Sequence, residues 1–179
     1  FNNIFKERSI SFIMGTSGVG KTTLIRILMG LEKADSGEII GIGDKKISAV
    51  FQEDSLCENL SVLLNIKLVC KDIIDSQIEE ALGLLDLNGC LYKRVRELSG
   101  GMKRRVAILR ALLYDFDLLI MDEPFKGLDK DTKSKVMDFV ISKIINKSAI
   151  IITHDMDDIE YFKKYNELGV NSITDLGMF

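Results

Sequence analysis

Tryptophan is absent from the 179 residues, proline and histidine occur once each, as Pro124 and His154, and cysteine occurs three times. Cys57, Cys70 and Cys90 are odd in number and show no C-x-x-C spacing, which supports neither a disulfide framework nor a cysteine zinc site. They read as buried free thiols in a reducing cytosol. Long apolar runs are also missing. The longest, such as residues 118–121 and 149–152, fall far short of the roughly 18–20 residues a membrane-crossing helix needs. No excess of positive charge exists: 24 Lys and Arg stand against 27 Asp and Glu, a net charge of −3, so the basic footprint of a nucleic-acid binder is lacking. No repeat, proline-rich linker or signal peptide interrupts the chain, and its length suits one domain. Because it begins at Phe1 and not at Met, the native N-terminus is expected upstream.

What is present is alternation. Residues 10–14 form a short β-prone run that stops at Gly15, and from Lys21 onward apolar residues recur at helical spacing, so strand, glycine loop and helix follow one another. Residues 39–42 and 47–51 read as two further strands. Residues 61–70 and 75–87 turn helical, with Ser61 and Asp75 as N-caps, and form an inserted lobe. A helix opens after Ser99-Gly100-Gly101 and runs through residue 113, and residues 118–121 form a strand apolar on both faces. A long amphipathic helix (131–147), another buried strand (148–152) and a last helix (156–164) complete the order. Such alternation predicts a largely parallel sheet wrapped by helices.

Gly15, Thr16, Ser17, Gly18, Val19, Gly20, Lys21 and Thr22 fit G-x-x-x-x-G-K-[ST] in the strand–loop–helix setting the pattern requires, with Thr23 following. Glycines let the backbone wrap a phosphate chain, and the helix N-terminus adds donors and positive partial charge. Lys21 would hold the outer phosphates and the Thr22 hydroxyl a Mg²⁺ ion. Asp122 and Glu123 end the buried strand at its carboxyl edge, where open α/β sheets bind ligands; Asp122 could bind the metal and Glu123 polarise a water. Gln52, after the 47–51 strand, could meet the metal or that water, and His154 ends the last buried strand at the same edge, suited to a γ-phosphate contact. The helix start at Ser99-Gly100-Gly101 has nothing of its own to bind. One phosphate site and one spare anion-binding helix end suggest a two-fold dimer whose chains complete each other's sites.

In this order, GTSGVGKTT, Gln52, Leu98-Ser99-Gly100-Gly101-Met102, LLIMDEP (118–124), Gly127-Leu128-Asp129 and Thr153-His154 resemble the nucleotide-binding subunit of an ATP-binding cassette (ABC) transporter. The resemblance implies a P-loop NTPase (RecA-like) α/β core, residues 1–53 and 97–179, with a small helical subdomain at about 54–96. It implies that residues 15–22 are the Walker A loop, Gln52 the Q-loop glutamine and a Mg²⁺ ligand, and Asp122-Glu123 the Walker B pair. Residues 98–102 become the signature acting in trans, Asp129 the D-loop aspartate and His154 the switch histidine. It further implies ATP and Mg²⁺ as cofactors, a head-to-tail dimer with a second copy or a homologous cassette, and separate integral membrane permease subunits. An extracytoplasmic solute-binding protein and a peripheral place on the cytoplasmic face of the membrane follow, with no nucleic-acid partner. Residues 51–54, 98–108 and 122–125 are similar to the cassettes of nitrate, sulfonate and taurine importers. The aromatic on which the family stacks adenine is expected upstream of Phe1, since Phe1 and Phe5 lie too close to the Walker A strand to serve. The regulatory C-terminal domain that some importers carry is not expected after the His154 helix.

Soluble ABC-type ATPases of DNA repair and chromosome structure place long coiled coils between the Q-loop and the signature, whereas here only residues 53–98 separate Gln52 from Ser99. Translation-type members carry two cassettes in one chain. A P-loop kinase or GTPase has no use for residues 98–102, and no guanine-reading N-K-x-D follows.

Overall fold

Strand β1 (Ile10–Met14) is almost wholly buried, and in this computed structural model, which describes residues 2–16, 18–165 and 169–175, it lies inside a five-stranded sheet. The other strands are β2 (Ile47–Val50), β3 (Leu118–Asp122), β4 (Ser148–Ile152) and β5 (Val170–Asp175), in the spatial order β2-β3-β4-β1-β5. β1 runs parallel to both β4 and β5, and β3 runs parallel to β4. All five residues of β3 and four of the five in β4 are buried, the signature of parallel strands covered on both faces. The helices are α1 (Lys21–Leu28), α2 (Val62–Lys67), α3 (Asp75–Leu84), α4 (Gly100–Leu113), α5 (Lys130–Ile144) and α6 (Met156–Lys163). This is the mostly parallel α/β architecture of a P-loop NTPase.

The chain divides into two compact units. The first holds residues 1–49, 116–123 and 144–179. Its core joins Ile10, Phe12 and Ile13 of β1 to Ile25 of α1 and to the β3 and β4 side chains. Phe12 meets Phe162 of α6 edge to face at 5.6 Å between ring centroids, a favoured aromatic geometry. The second unit holds residues 50–115 and 124–143. In it α2 and α3 pack on α4, burying Ile66, Ile78, Leu82, Val106 and Leu109 completely or nearly so. Each such side chain is worth about 1.5–3 kcal/mol over exposure. Asn65, fully buried on α2, binds the backbone of residues 57–61: its Oδ1 accepts from Cys57 N at 2.8 Å, and its Nδ2 donates to the carbonyls of Cys57, Leu60 and Ser61.

Several local expectations are corrected. Residues 39–42 form no strand; Gly37 just before the run and Gly41 within it take φ of +90° and +87°, which breaks an extended backbone, and Ile39, Ile40 and Ile42 instead line a cavity of about 840 Å³. Ser61 caps α2, accepting from Leu64 N at 3.2 Å. Asp75 does not cap α3. Ile74 holds that position, with Gln77 Oε1 accepting its N–H at 3.4 Å, and Asp75 lies in the first turn beside Lys67. Strand β5, unread in the sequence, adds a neighbour to β1. Cys90 is buried and Cys70 half-buried, with burial raising its pKa, but Cys57 is exposed. Among the described residues no helix is long and apolar enough to cross a membrane.

Candidate active site

The ends of β1, β3 and β4 are neighbours in the sheet, and each carries chemistry into the first unit's carboxyl edge. After β1 the chain enters the glycine loop, where Gly15, Gly18 and Gly20 take φ of +144°, +84° and +99°. Side chains rarely adopt these angles, so a Cβ would strain the loop even where space is open. Gly20 opens α1, and among the described residues no side chain caps it, so the first-turn N–H groups are directed at whatever the loop encloses. Lys21 curls over the loop, its Nζ donating to Gly15 O at 2.7 Å and to Thr16 O at 2.9 Å. Thr16 and Val19 are exposed along the loop and Thr23 on the first turn of α1; Ser17 lies outside the described residues.

Thr22 Oγ1 donates to Asp122 Oδ2 at 2.9 Å, joining the start of α1 to the end of β3. Asp122 is only 2% exposed, so its carboxylate is preoriented by its partners. A hydroxyl and a carboxylate in contact form a hard oxygen pair suited to Mg²⁺, which takes one or two protein oxygens and leaves its other positions to phosphates and water. The donor set therefore fits the expected metal.

Glu123 takes φ +48°, the left-handed region, which is uncommon for a residue with a side chain. Its N–H donates to Ile152 O at 2.9 Å and holds the turn against β4. Glu123 Oε1 lies 2.8 Å from His154 Nδ1, with the glutamate side chain 12% and the histidine 63% exposed. His154 is fixed from behind: buried Thr153 donates its hydroxyl to Asp158 Oδ2 at 2.8 Å and accepts Asp155 N at 3.1 Å, and Asp155 caps α6. The structure thus brings Lys21, Thr22, Asp122, Glu123 and His154 together. The sequence named each of them, but neither the Glu123–His154 contact nor the Thr153–Asp158 support.

The remaining named residues belong to the second unit. Gln52 is exposed just after β2, and its carbonyl accepts from Arg104. Leu98 is buried. Ser99 is not idle as a helix start: it is the N-cap of α4, accepting Met102 N at 3.3 Å, while Gly100 and Gly101 form the first turn. A Cβ on Gly101 would meet Leu128 at 3.7 Å, an ordinary contact. Asp129 accepts Thr132 N at 3.0 Å at the start of α5, and its pKa is held below the ordinary carboxylate value by the Thr132 hydroxyl first and the Thr132 N–H second.

A glycine loop opening a helix, a hydroxyl–carboxylate oxygen pair and a carboxylate–imidazole pair on adjacent strand ends are the arrangement of a P-loop nucleotide-binding cassette. The family described as ABC transporter matches residues 2–126, and the chain belongs to it. It is 33% identical over 175 residues to the spermidine/putrescine import ATP-binding protein PotA of Clostridioides difficile (strain 630), with 88% of this chain and 50% of the relative covered. To PotA of Clostridium novyi (strain NT) it is 37% identical over 171 residues, covering 86% and 49%. The chain spans about half the length of these curated relatives. Among solved structures it is similar to the dimeric structure of MJ0796, a bacterial ABC transporter cassette, at TM-score 0.81 and 27% identity, covering 98% of this chain and 85% of that one. A dimeric post-hydrolysis state of the same cassette, bound to ADP and Pi, matches at TM-score 0.77 and 28% identity, covering 89% and 81%. The relatives carry polyamine names, so the motif-level likeness to nitrate, sulfonate and taurine importers is not what they share.

Proposed function

We propose that this chain is the ATP-hydrolysing, nucleotide-binding subunit of an ABC importer, energising solute transport through separate membrane subunits. The observation that carries the reading is the joining of Thr22 to Asp122 and of Glu123 to His154 at neighbouring strand ends. The loop from Gly15 to Thr22 binds the phosphates of ATP, with Lys21 exchanging its carbonyl contacts for phosphate oxygens. Thr22, Asp122 and Gln52 would hold Mg²⁺, which neutralises phosphate charge in such sites. Glu123 accepts the proton of the attacking water, and His154 holds that carboxylate in place from Nδ1 while facing the γ-phosphate. The products are ADP and phosphate.

The helix start at Leu98, Ser99, Gly100, Gly101 and Met102 completes the site of a second copy or a homologous cassette in a head-to-tail dimer, with Asp129 beside the shared site. Residues 1–53 and 97–179 act as the ATPase core and about 54–96 as the helical subdomain. The dimer works at the cytoplasmic face of the membrane on integral permease subunits, served by an extracytoplasmic solute-binding protein. Polyamine names among the relatives and a nitrate-, sulfonate- and taurine-like motif set point to different solutes; the other subunits would set the choice. Glu123→Gln tests the reading. ATP affinity should survive while hydrolysis falls roughly 10²–10⁴-fold, and the variant should dimerise in ATP. Near wild-type hydrolysis would remove Glu123 as the base.

A further inference from the structure

Helix α4 opens at Ser99, and three of its cations reach the segment that carries Gln52. Lys103 Nζ binds Glu58 Oε1 at 2.7 Å. Arg104 Nη1 donates to Phe51 O at 2.5 Å and Gln52 O at 3.5 Å, and pairs with Asp54 Oδ1 at 3.2 Å. Arg110 donates from Nη1 to Ser55 O at 3.0 Å and from Nη2 to Asp54 O at 3.4 Å. Arg104 differs from its neighbours in two ways. Its side chain is only 7% exposed, and its Nε donates to a third segment, the carbonyl of buried Pro124 at 2.8 Å, the residue that follows Glu123.

One buried guanidinium therefore touches the backbone at Gln52, the helix that Ser99 starts, and the peptide next to Glu123. A buried arginine survives only where acceptors satisfy its fork, and those carbonyls in turn lose their donors if it goes. Its planar fork fixes the Nε and Nη1 directions together, which a lysine's single ammonium does not reproduce. Carbonyls are the main acceptors, so the grip holds backbone and does not depend on neighbouring side-chain rotamers.

We propose that Arg104 is a positioning residue that makes the Gln52 segment and the helix beginning at Ser99 move as one piece. A shift at Gln52 then reaches Ser99 without passing through the glycine loop. This rests on the ATPase reading above. Arg104 touches no substrate in it, and its loss acts through Gln52.

The test is a double-mutant cycle on the purified full chain with Arg104→Lys, Gln52→Ala and the double variant. Affinity for a fluorescent ATP analogue, kcat, KM and the melting temperature are measured for each. Arg104→Lys should keep ATP affinity and KM within about threefold while kcat drops about tenfold. The double variant should be no slower than Gln52→Ala by more than about twofold, because the two residues act as a unit. Multiplicative losses in the double variant, or an Arg104→Lys kcat equal to wild type, would overturn the proposal. If Arg104→Lys melts too early to assay, Arg104→Gln replaces it in the cycle, keeping an amide donor in the buried site without the guanidinium fork, and the same two outcomes decide. Failure of the ATPase reading looks different: wild type would not hydrolyse ATP, or Lys21→Ala would bind it normally.

Discussion

The backbone N–H of Glu123 donates to Ile152 O, two residues before His154, and the side chains of Glu123 and His154 then meet at 2.8 Å. The backbone bond and the side-chain contact are consecutive rungs of one ladder between the ends of β3 and β4. Glu123 is thereby held at a positive φ, and its carboxylate faces the imidazole with little freedom to swing away.

His154→Ala removes that neighbour and leaves the glutamate in place. Hydrolysis should drop by about 10²-fold through misplacement of the carboxylate, with ATP affinity unchanged in titration with a fluorescent analogue. A variant that loses affinity and keeps kcat would show that the histidine binds nucleotide and does not position the base.

Thr22→Val keeps shape and deletes one hydroxyl. Asp122, nearly buried, loses a donor, so the melting curve should report a loss of about 1.5–3 kcal/mol. The Mg²⁺ concentration for half-maximal hydrolysis should also rise. Unchanged metal dependence would place Mg²⁺ on other oxygens.

Ser99 separates a local role from an intermolecular one. Ser99→Ala removes the cap of α4 and should cost about 1 kcal/mol of stability. Ser99→Arg should in addition abolish ATP-driven dimerisation and hydrolysis while monomer ATP binding persists. Mixed with Lys21→Ala it should partly regain dimerisation, since the heterodimer keeps one complete composite site. Normal hydrolysis by Ser99→Arg would leave the motif as a helix start only.

Asp129 titrates below its ordinary value because Thr132 donates to it, and the direction fixes the pH window. A carboxylate with a depressed folded pKa adds stability that is present above the unfolded value, near 3.8, and is lost as pH falls through the folded value. Asp129→Asn should therefore melt below wild type at neutral pH, with the gap closing in acid. A gap that does not change with pH would assign the stability to shape and not to charge.

Where the sequence was readable, the physics is local. Glycines at 15, 18 and 20 with Lys21 after a buried strand, and Asp122, Glu123 and His154 at the ends of apolar runs, are set by spacing along one segment. The adjacency of β1, β3 and β4 then carries them to one edge. Arg104 was not readable, because a buried arginine looks like any helical cation until segments 51–54 and 124 fold against it. Strand β5 escaped because Val170–Asp175 mixes polar with apolar residues, and its pairing with β1 is a long-range fact that no local spacing announces. Residues 39–42 misled in the opposite direction: an apolar pattern suggested a strand, and two glycines at positive φ broke it.

The Lys21 ammonium rests on the Gly15 and Thr16 carbonyls. It is a placeholder cation for the loop, holding the two carbonyls with the charge that a phosphate would otherwise draw away. A newcomer must outbid two neutral oxygens, which an anionic phosphate does and an uncharged nucleoside does not. Adenosine should therefore leave the lysine on the loop, and the proposed pocket would sort its visitors by charge before it reads their base.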